Sequence, residues 1–275
     1  MKWGISIWAA GALLGALVVA SPAAGGAQGK HTGPSSQPEN AQHKAEGPVR
    51  LSDEERADLF MARKSYDDAI DYYSRAIKST KISQQNRAEL AGLWNKKGIC
   101  YQQKLDYGQA RKAYKEAIRL KRGFAQAWNN PGTTFYLNHQ AKKSIKYYRQ
   151  SIKLSPTSAS FRMNLGTAYF WRKKYKQATE EYRTAIELDP EILTRTSRER
   201  TAVETCFADA RFYFYMAKIF ASVGNLDEAI RYLRRAMEEG FKDRKRILED
   251  PDFQKISKDP RFVALMNSPP VGIKD

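Results

Sequence analysis

The sequence predicts an all-α fold, about five helical hairpins stacked into an α-solenoid and closed by a helical C-terminal cap. Three observations carry this expectation. Ala110, Ser144 and Ala178 stand 34 residues apart; each is followed four residues later by a tyrosine (Tyr114, Tyr148, Tyr182) and three further on by a small residue (Ala117, Ser151, Ala185). Twelve residues before each opener comes a glycine: Gly98, Gly132 or Gly166. Apolar residues recur at helical spacing between these markers, so each helix carries an apolar stripe that one hairpin cannot cover alone. Self-similarity at this period means repeated helix–turn–helix units.

The elements follow in order. Residues 1–27 read as an export signal: Lys2 gives a positive start, Trp3 to Ala20 carries no charge, and small residues follow. Cleavage after Ala20 fits, with Gly25-Gly26-Ala27 as the second option; an uncleaved N-terminal anchor is the alternative, on a stretch short for a spanning helix. Residues 28–49, rich in Gly, Ser, Pro, Gln and His without apolar period, read as a disordered tether. The units, numbered so that the first glycine or alanine is position eight, are about 50–83, 91–124, 125–158, 159–192 and 210–243. Ala57 and Ala217 replace the glycine in the first and fifth. Small residues at positions eight, twenty and twenty-seven let paired helices approach. Trp94, Tyr101, Trp128, Phe135, Tyr169 and Tyr182 are expected to fill the space between units.

Two spacings depart from 34. Ala69 to Ala110 is 41, and the seven extra residues, about two helical turns, are expected to lengthen helices through 79–89 without breaking register. Ala178 to Ala229 is 51; Thr196-x-x-Glu199 reads as a capping box and Thr201–Ser222 as one long helix. Pro131, inside the first helix of the third unit, removes a backbone donor and clashes with the preceding turn, so that helix is expected to be kinked or to start late. Residues 244–268 read as capping helices. Asp250-Pro251 and Asp259-Pro260 each open one, with Phe253, Ile256, Phe262, Leu265 and Met266 covering the end of the last hairpin, and 269–275 as a tail.

Formal net charge is +17, and loss of Lys2 with the signal leaves +16. This balance permits non-specific attraction to anionic lipid, acidic polymer or nucleic acid without requiring any. Basic residues gather on second-helix positions as a candidate anion patch: Lys142, Lys143, Lys146 and Arg149, continued by Lys153 and, one unit earlier, Lys112, Lys115 and Arg119. The bland reading is a solvated face that aids solubility. Cys100 and Cys206 lie about three repeats apart, too far for a bridge at roughly 10 Å per packed helix; both read as buried free thiols. No catalytic constellation, metal spacing or phosphate loop is visible, so no enzyme activity and no cofactor are expected. His31 and His43 lie in the tether, and His139 reads as a turn residue. Nothing reads as a base-recognition module, so no specific nucleic acid is expected.

The pattern resembles the tetratricopeptide repeat. Trp94-Asn95-Lys96-Lys97-Gly98-Ile99-Cys100-Tyr101 follows its Trp-x2-Leu-Gly-x2-Tyr run except at Lys97; Asn164-Leu165-Gly166-Thr167-Ala168-Tyr169 follows it except that Arg162 replaces Trp. Pro156 and Pro190 end units where the family places proline. The resemblance covers about 50–243 and implies a right-handed solenoid whose first helices line a concave groove through positions two, five, six, nine, twelve and thirteen. In the third unit these include Asn129, Asn130, Thr133 and Tyr136; in the fourth Asn164, Thr167, Phe170 and Trp171; in the fifth Arg211, Phe214, Tyr215 and Lys218. Asn130 and Asn164 match the asparagine that in the family grips a bound backbone, and Lys96 replaces it in the second unit. The family's two-carboxylate clamp is not expected, because only Asn164 and Arg211 match it and Asn129, Thr133 and Tyr215 do not. The candidate peptide groove is therefore Lys96, Asn130, Thr133, Tyr136, Asn164, Thr167, Trp171, Arg211 and Tyr215. The implied function is a periplasmic or secreted protein–protein interaction scaffold; the alternative is a basic envelope protein that holds anionic lipid or polymer on its convex face.

Overall fold

A computed structural model describes residues 50–193 and 209–270. The signal, the tether, the Thr196–Glu199 capping box, Cys206 and the last five residues lie outside them. Among the described residues there are thirteen helices and no strand: α1 (Asp53–Ala62), α2 (Tyr66–Ser79), α3 (Arg87–Gln103), α4 (Tyr107–Leu120), α5 (Ala125–Leu137), α6 (Ala141–Leu154), α7 (Ala159–Trp171), α8 (Tyr175–Leu188), α9 (Ala210–Ser222), α10 (Leu226–Glu238), α11 (Arg244–Glu249), α12 (Pro251–Gln254) and α13 (Pro260–Asn267). Consecutive helices pack pairwise, and each second helix packs on the first helix of the next pair, the arrangement of an α-solenoid.

The glycines set how closely the pairs approach. A Cβ built on Gly98, Gly132 or Gly166 would stand 2.5, 2.7 or 2.6 Å from the ring of Tyr114, Tyr148 or Tyr182. Each ring thus lies flat on backbone where any side chain would collide. This corrects one expectation. Tyr182 is the core of its own hairpin, fully buried over Gly166, although its edge also meets Phe212 of the next unit at 5.9 Å. Phe135 and Tyr169 do sit between units, under the guanidinium groups of Arg111 and Arg149 of the preceding second helix.

The buried tyrosine hydroxyls need partners. Tyr148 and Tyr182 donate to Thr133 and Thr167 at position nine, 3.2 and 3.1 Å away. In the second unit Ile99 holds that position, and Tyr114 instead donates to buried Gln102, which also accepts from Thr134 of the next unit. Trp128 donates to the Arg122 carbonyl, and Arg162, the residue in place of tryptophan one unit on, donates to the equivalent Pro156 carbonyl. The guanidinium thus reproduces the indole's bond.

Every hairpin turn closes alike. The residue at position fifteen is left-handed: Lys64, Leu105, His139, Lys173 and Gly224, with φ of 62, 62, 57, 57 and 78°. The next amide donates five residues back, as Gln140 does to the Phe135 carbonyl at 2.8 Å, which satisfies the last carbonyls of the first helix. Only Gly224 is glycine, so four units hold an L-residue in a region that costs it about 1–2 kcal/mol.

Three further expectations are corrected. The seven extra residues before the second unit lengthen α3 alone, to 17 residues against 13 in α5, α7 and α9, while α2 keeps the 14 of α4, α6 and α8. The rest is a turn in which Ser83 and Asn86 exchange side-chain and backbone bonds, and the Asn86 amide holds the Lys81 carbonyl. Second, of the two alternatives at Pro131 the late start falls: α5 runs from Ala125 through buried Pro131 to Leu137, and the proline leaves the Ala127 carbonyl without its helical donor. Third, no single helix runs from Thr201 to Ser222. Asp209 is extended, and its carboxylate caps the Arg211 amide at 2.8 Å, so α9 begins at Ala210.

Asp250 and Asp259 cap α12 and α13 with proline at the first helical position. The cap buries Phe253 against Phe214, and Phe262, Leu265 and Met266 close the same core.

Candidate functional site

Along the first helices, one bond recurs at the first three joints; at the fourth, position six is Tyr215, which stacks on Tyr175 instead. The position-six side chain of a unit reaches back to position five of the unit before. Asn130 donates to Asn95 at 2.9 Å, Asn164 to Asn129 at 3.0 Å, and Lys96 to Glu54 at 2.9 Å, with Asp58 at 2.7 Å as a second acceptor. Asn129 also donates to Asn130, at 3.3 Å. The two asparagines expected to grip a bound backbone are therefore engaged in joining units, and Asn164 is buried. Lys96 lies between two carboxylates. Burial works against its charge, but the hydrogen bonds and charges of Asp58 and Glu54 outweigh it and hold its pKa above the ordinary lysine value. It is a tie between α1 and α3 rather than a free cation.

Other expected groove residues also serve the fold. Thr167 is fully buried; its hydroxyl donates to the Met163 carbonyl and accepts from Tyr182, so it offers nothing to a ligand. Thr133 is half-buried and accepts from Tyr148. In the fifth unit the cap takes the place of a next first helix. Tyr215 stacks on Tyr175 at 5.2 Å and accepts from Arg246, and Lys218 pairs with Asp250 at 2.6 Å. Arg211 is exposed but held by Asp209 at 2.9 Å. Phe170 packs on Tyr175 and Phe212.

What stays open is at one edge. Tyr136 and Trp171 meet edge to face at 6.3 Å, where the turn of the third unit approaches the end of α7. Around them lies a cavity of about 480 Å³, lined also by Leu137, His139, Lys142 and Arg172. Tyr136 is nearly buried, whereas Trp171 is 53% exposed, the largest exposed apolar side chain among the described residues. The expected groove residues Tyr136 and Trp171 and the expected patch residue Lys142 thus share one site. Lys142, Lys143, Lys146 and Arg149 are all exposed on α6. Lys143 lies over the Phe135 ring, and Arg149 donates to the Tyr169 hydroxyl at 3.0 Å.

Sequence reasoning passed over His139, Leu137 and Arg172 as lining residues, and also the charge pattern that surrounds them. Between Glu116 and Glu180 there are thirteen Lys and Arg and no Asp or Glu. A count of acids alone would have found it. Among the described residues, none of Lys142, Lys143, Lys146 and Arg172 pairs with a carboxylate.

Cys100 is buried and free, and burial pushes its thiol up to about 12, which leaves it unreactive near neutral pH.

Family models for the tetratricopeptide repeat match residues 96–159, 159–192 and 210–239. The chain is a tetratricopeptide-repeat protein. No curated protein matches it. Among solved structures, the crystal structure of MamA is 20% identical with a TM-score of 0.44, covering 66% of this chain and 93% of its own. YrrB, described as a TPR protein with an unusual peptide-binding site, is 17% identical with a TM-score of 0.43, covering 67% and 82%. The first TPR of Spaghetti (RPAP3), bound to an HSP90 peptide, is 17% identical with a TM-score of 0.38, covering 44% and 96%. In this tetratricopeptide-repeat chain the inner-face amides bind the array together, and the exposed aromatic surface sits at the edge between units three and four.

Proposed function

We propose that this protein is a non-catalytic interaction scaffold, exported to the cell envelope or beyond, that holds a peptide or helix of a partner protein along its inner face. The repeat family supports the interaction role. The observation that carries it to a place is Trp171, a large aromatic left more than half exposed beside a cavity in an otherwise well-packed array. Aromatic anchors of this kind dominate interface energetics. Export rests on Lys2 and the uncharged stretch to Ala20.

The test is affinity capture on the immobilised array in host extract, beside a variant with Gln126→Trp and Ser160→Arg, which fills the groove at position two. The reading expects a small set of proteins retained by the parent and lost from the filled array. Recovery of none contradicts it, as does equal recovery on the parent, this variant and Trp171→Ala. For export, cell fractionation and N-terminal sequencing should find the envelope or medium fraction starting at Ser21 or Gln28; an intact Met1 in the cytosol contradicts it.

A second reading has its own observation: α6 carries no carboxylate and exposes Lys142, Lys143, Lys146 and Arg149. A convex basic helix of that kind would hold anionic lipid or polymer, with binding that weakens steeply with salt.

A further inference from the structure

The cavity at the edge between units three and four joins three properties. Its floor is aromatic and partly exposed. Its rim carries cations without carboxylate partners. Its walls are rigid. His139 is fixed left-handed by the turn closure, with His139 donating to the Tyr136 carbonyl at 2.9 Å and Gln140 to that of Phe135 at 2.8 Å, so the wall bearing Leu137 and Lys142 is preset. The opposite wall, Trp171 and Arg172, ends α7, whose last carbonyls are tied by Lys173 and Lys174 in the same way.

We propose that this cleft docks an acidic segment of a partner protein: one aromatic or branched aliphatic side chain sits against Trp171 and Tyr136, and flanking carboxylates lie against Lys142 and Arg172. The inference rests on the scaffold reading and names its partner's chemistry. The occupant follows from charge and shape. About 480 Å³ accommodates one or two large side chains and not a folded domain. Of the thirteen cations between Glu116 and Glu180, Arg119 and Arg162 pair with Glu116 and Glu181, but Lys142 and Arg172 at the rim meet no carboxylate among the described residues, so an acidic segment is drawn in and held where a basic or neutral one gains nothing. A flat headgroup surface would meet the exposed lysines of α6 but would not reach Tyr136, which lies nearly buried behind Trp171. A nucleic-acid backbone wants a continuous basic track with stacking platforms, whereas here there is one aromatic pair. Concave, apolar-floored and cation-rimmed, the site suits a peptide anchor.

The probe is a short peptide of alternating Asp and Glu with a single central Phe, titrated against the array by calorimetry and Trp fluorescence. Its controls are the same peptide with Ser for Phe, its Lys-substituted counterpart, vesicles of equal phosphatidylglycerol and phosphatidylcholine, and a thymidine oligonucleotide. The acidic Phe peptide should bind more tightly than either peptide control. Trp171→Ala and the double change Lys142→Glu with Arg172→Glu should each weaken it at least about tenfold, equivalent to about 1.4 kcal/mol. Retained helicity and melting temperature in these surface variants would show that folding is intact. Two results overturn the proposal: peptide affinity unchanged in both variants, or vesicles or oligonucleotide binding while the peptide does not. If host partners are lost from the groove-filled array yet retained by both cleft variants, the scaffold reading survives and the cleft proposal fails. If the partners stay on every variant, both fail.

Discussion

Where α1 meets α3, Lys96 reaches back to Glu54 and Asp58. Where α3 meets α5 and α5 meets α7, the same position carries an asparagine that reaches back to another asparagine. The geometry of the joint is shared, and the chemistry filling it changes along the chain. At the first joint a cation is neutralised by two acids. At the next two, neutral amides make the same connection and no acid is spent. Residues 117–179 carry no carboxylate, and Lys142, Lys143, Lys146 and Arg172 among them remain available to an outside partner. The packing position is what the repeat conserves along this chain; its charge is free to vary, and with it the surface each unit presents.

The largest effect expected on that shared packing comes from the glycines. Gly166→Ala puts a methyl about 2.6 Å from the Tyr182 ring, and since the ring is buried and hydrogen-bonded it can give little way. A loss of about 2–3 kcal/mol in urea unfolding is expected. Ala at position eight is tolerated in the first unit, where Ala57 is native, so Ala57→Gly should not produce a comparable gain.

The two kinds of joint should separate under salt and pH. Lys96→Met removes the tie between half-exposed partners and should cost about 1 kcal/mol or less, shrinking as salt rises. Asn130→Ala leaves the buried Asn95 without that donor and should cost about 1–2 kcal/mol with no salt dependence. The sign with pH follows from the raised pKa of Lys96. A base raised on folding contributes stability below its unfolded pKa and loses it as pH climbs through the folded value. The first joint should therefore weaken only in strongly alkaline solution, in a step absent from Lys96→Met and present in Asn130→Ala. Equal salt and pH responses of the two variants would erase the distinction.

The smallest effect lies at the turns. Lys173→Gly relieves a left-handed lysine and should stabilise the fourth unit by up to about 1 kcal/mol, while Gly224→Ala should cost a similar amount. Thermal melts of the pair check both directions.

Much of the fold could be read in the sequence because its causes are local and repeated. Gly98, Gly132 and Gly166 announce close approach, and Asp250-Pro251 and Asp259-Pro260 announce helix starts. What could not be read depends on which neighbour a side chain meets. Asn130 and Asn164 have the chemistry to grip a peptide, and only the offset between units shows that Asn95 and Asn129 already hold them. Thr167 occupies an inner-face position, but the hydroxyl of Tyr182 claims it. Tyr215 and Lys218 looked open because the cap that covers them carries no repeat signature. Trp171 and Lys142 were found separately, as a groove aromatic and a patch cation, since their meeting requires two units to be in place.

The most direct measurement is amide hydrogen exchange on the array with and without the acidic Phe peptide. Added protection should appear over 136–142 and 171–176 and be absent from α1, where acids already occupy the joint. Protection spread evenly over the inner face, or confined to α1 and α3, would contradict the account.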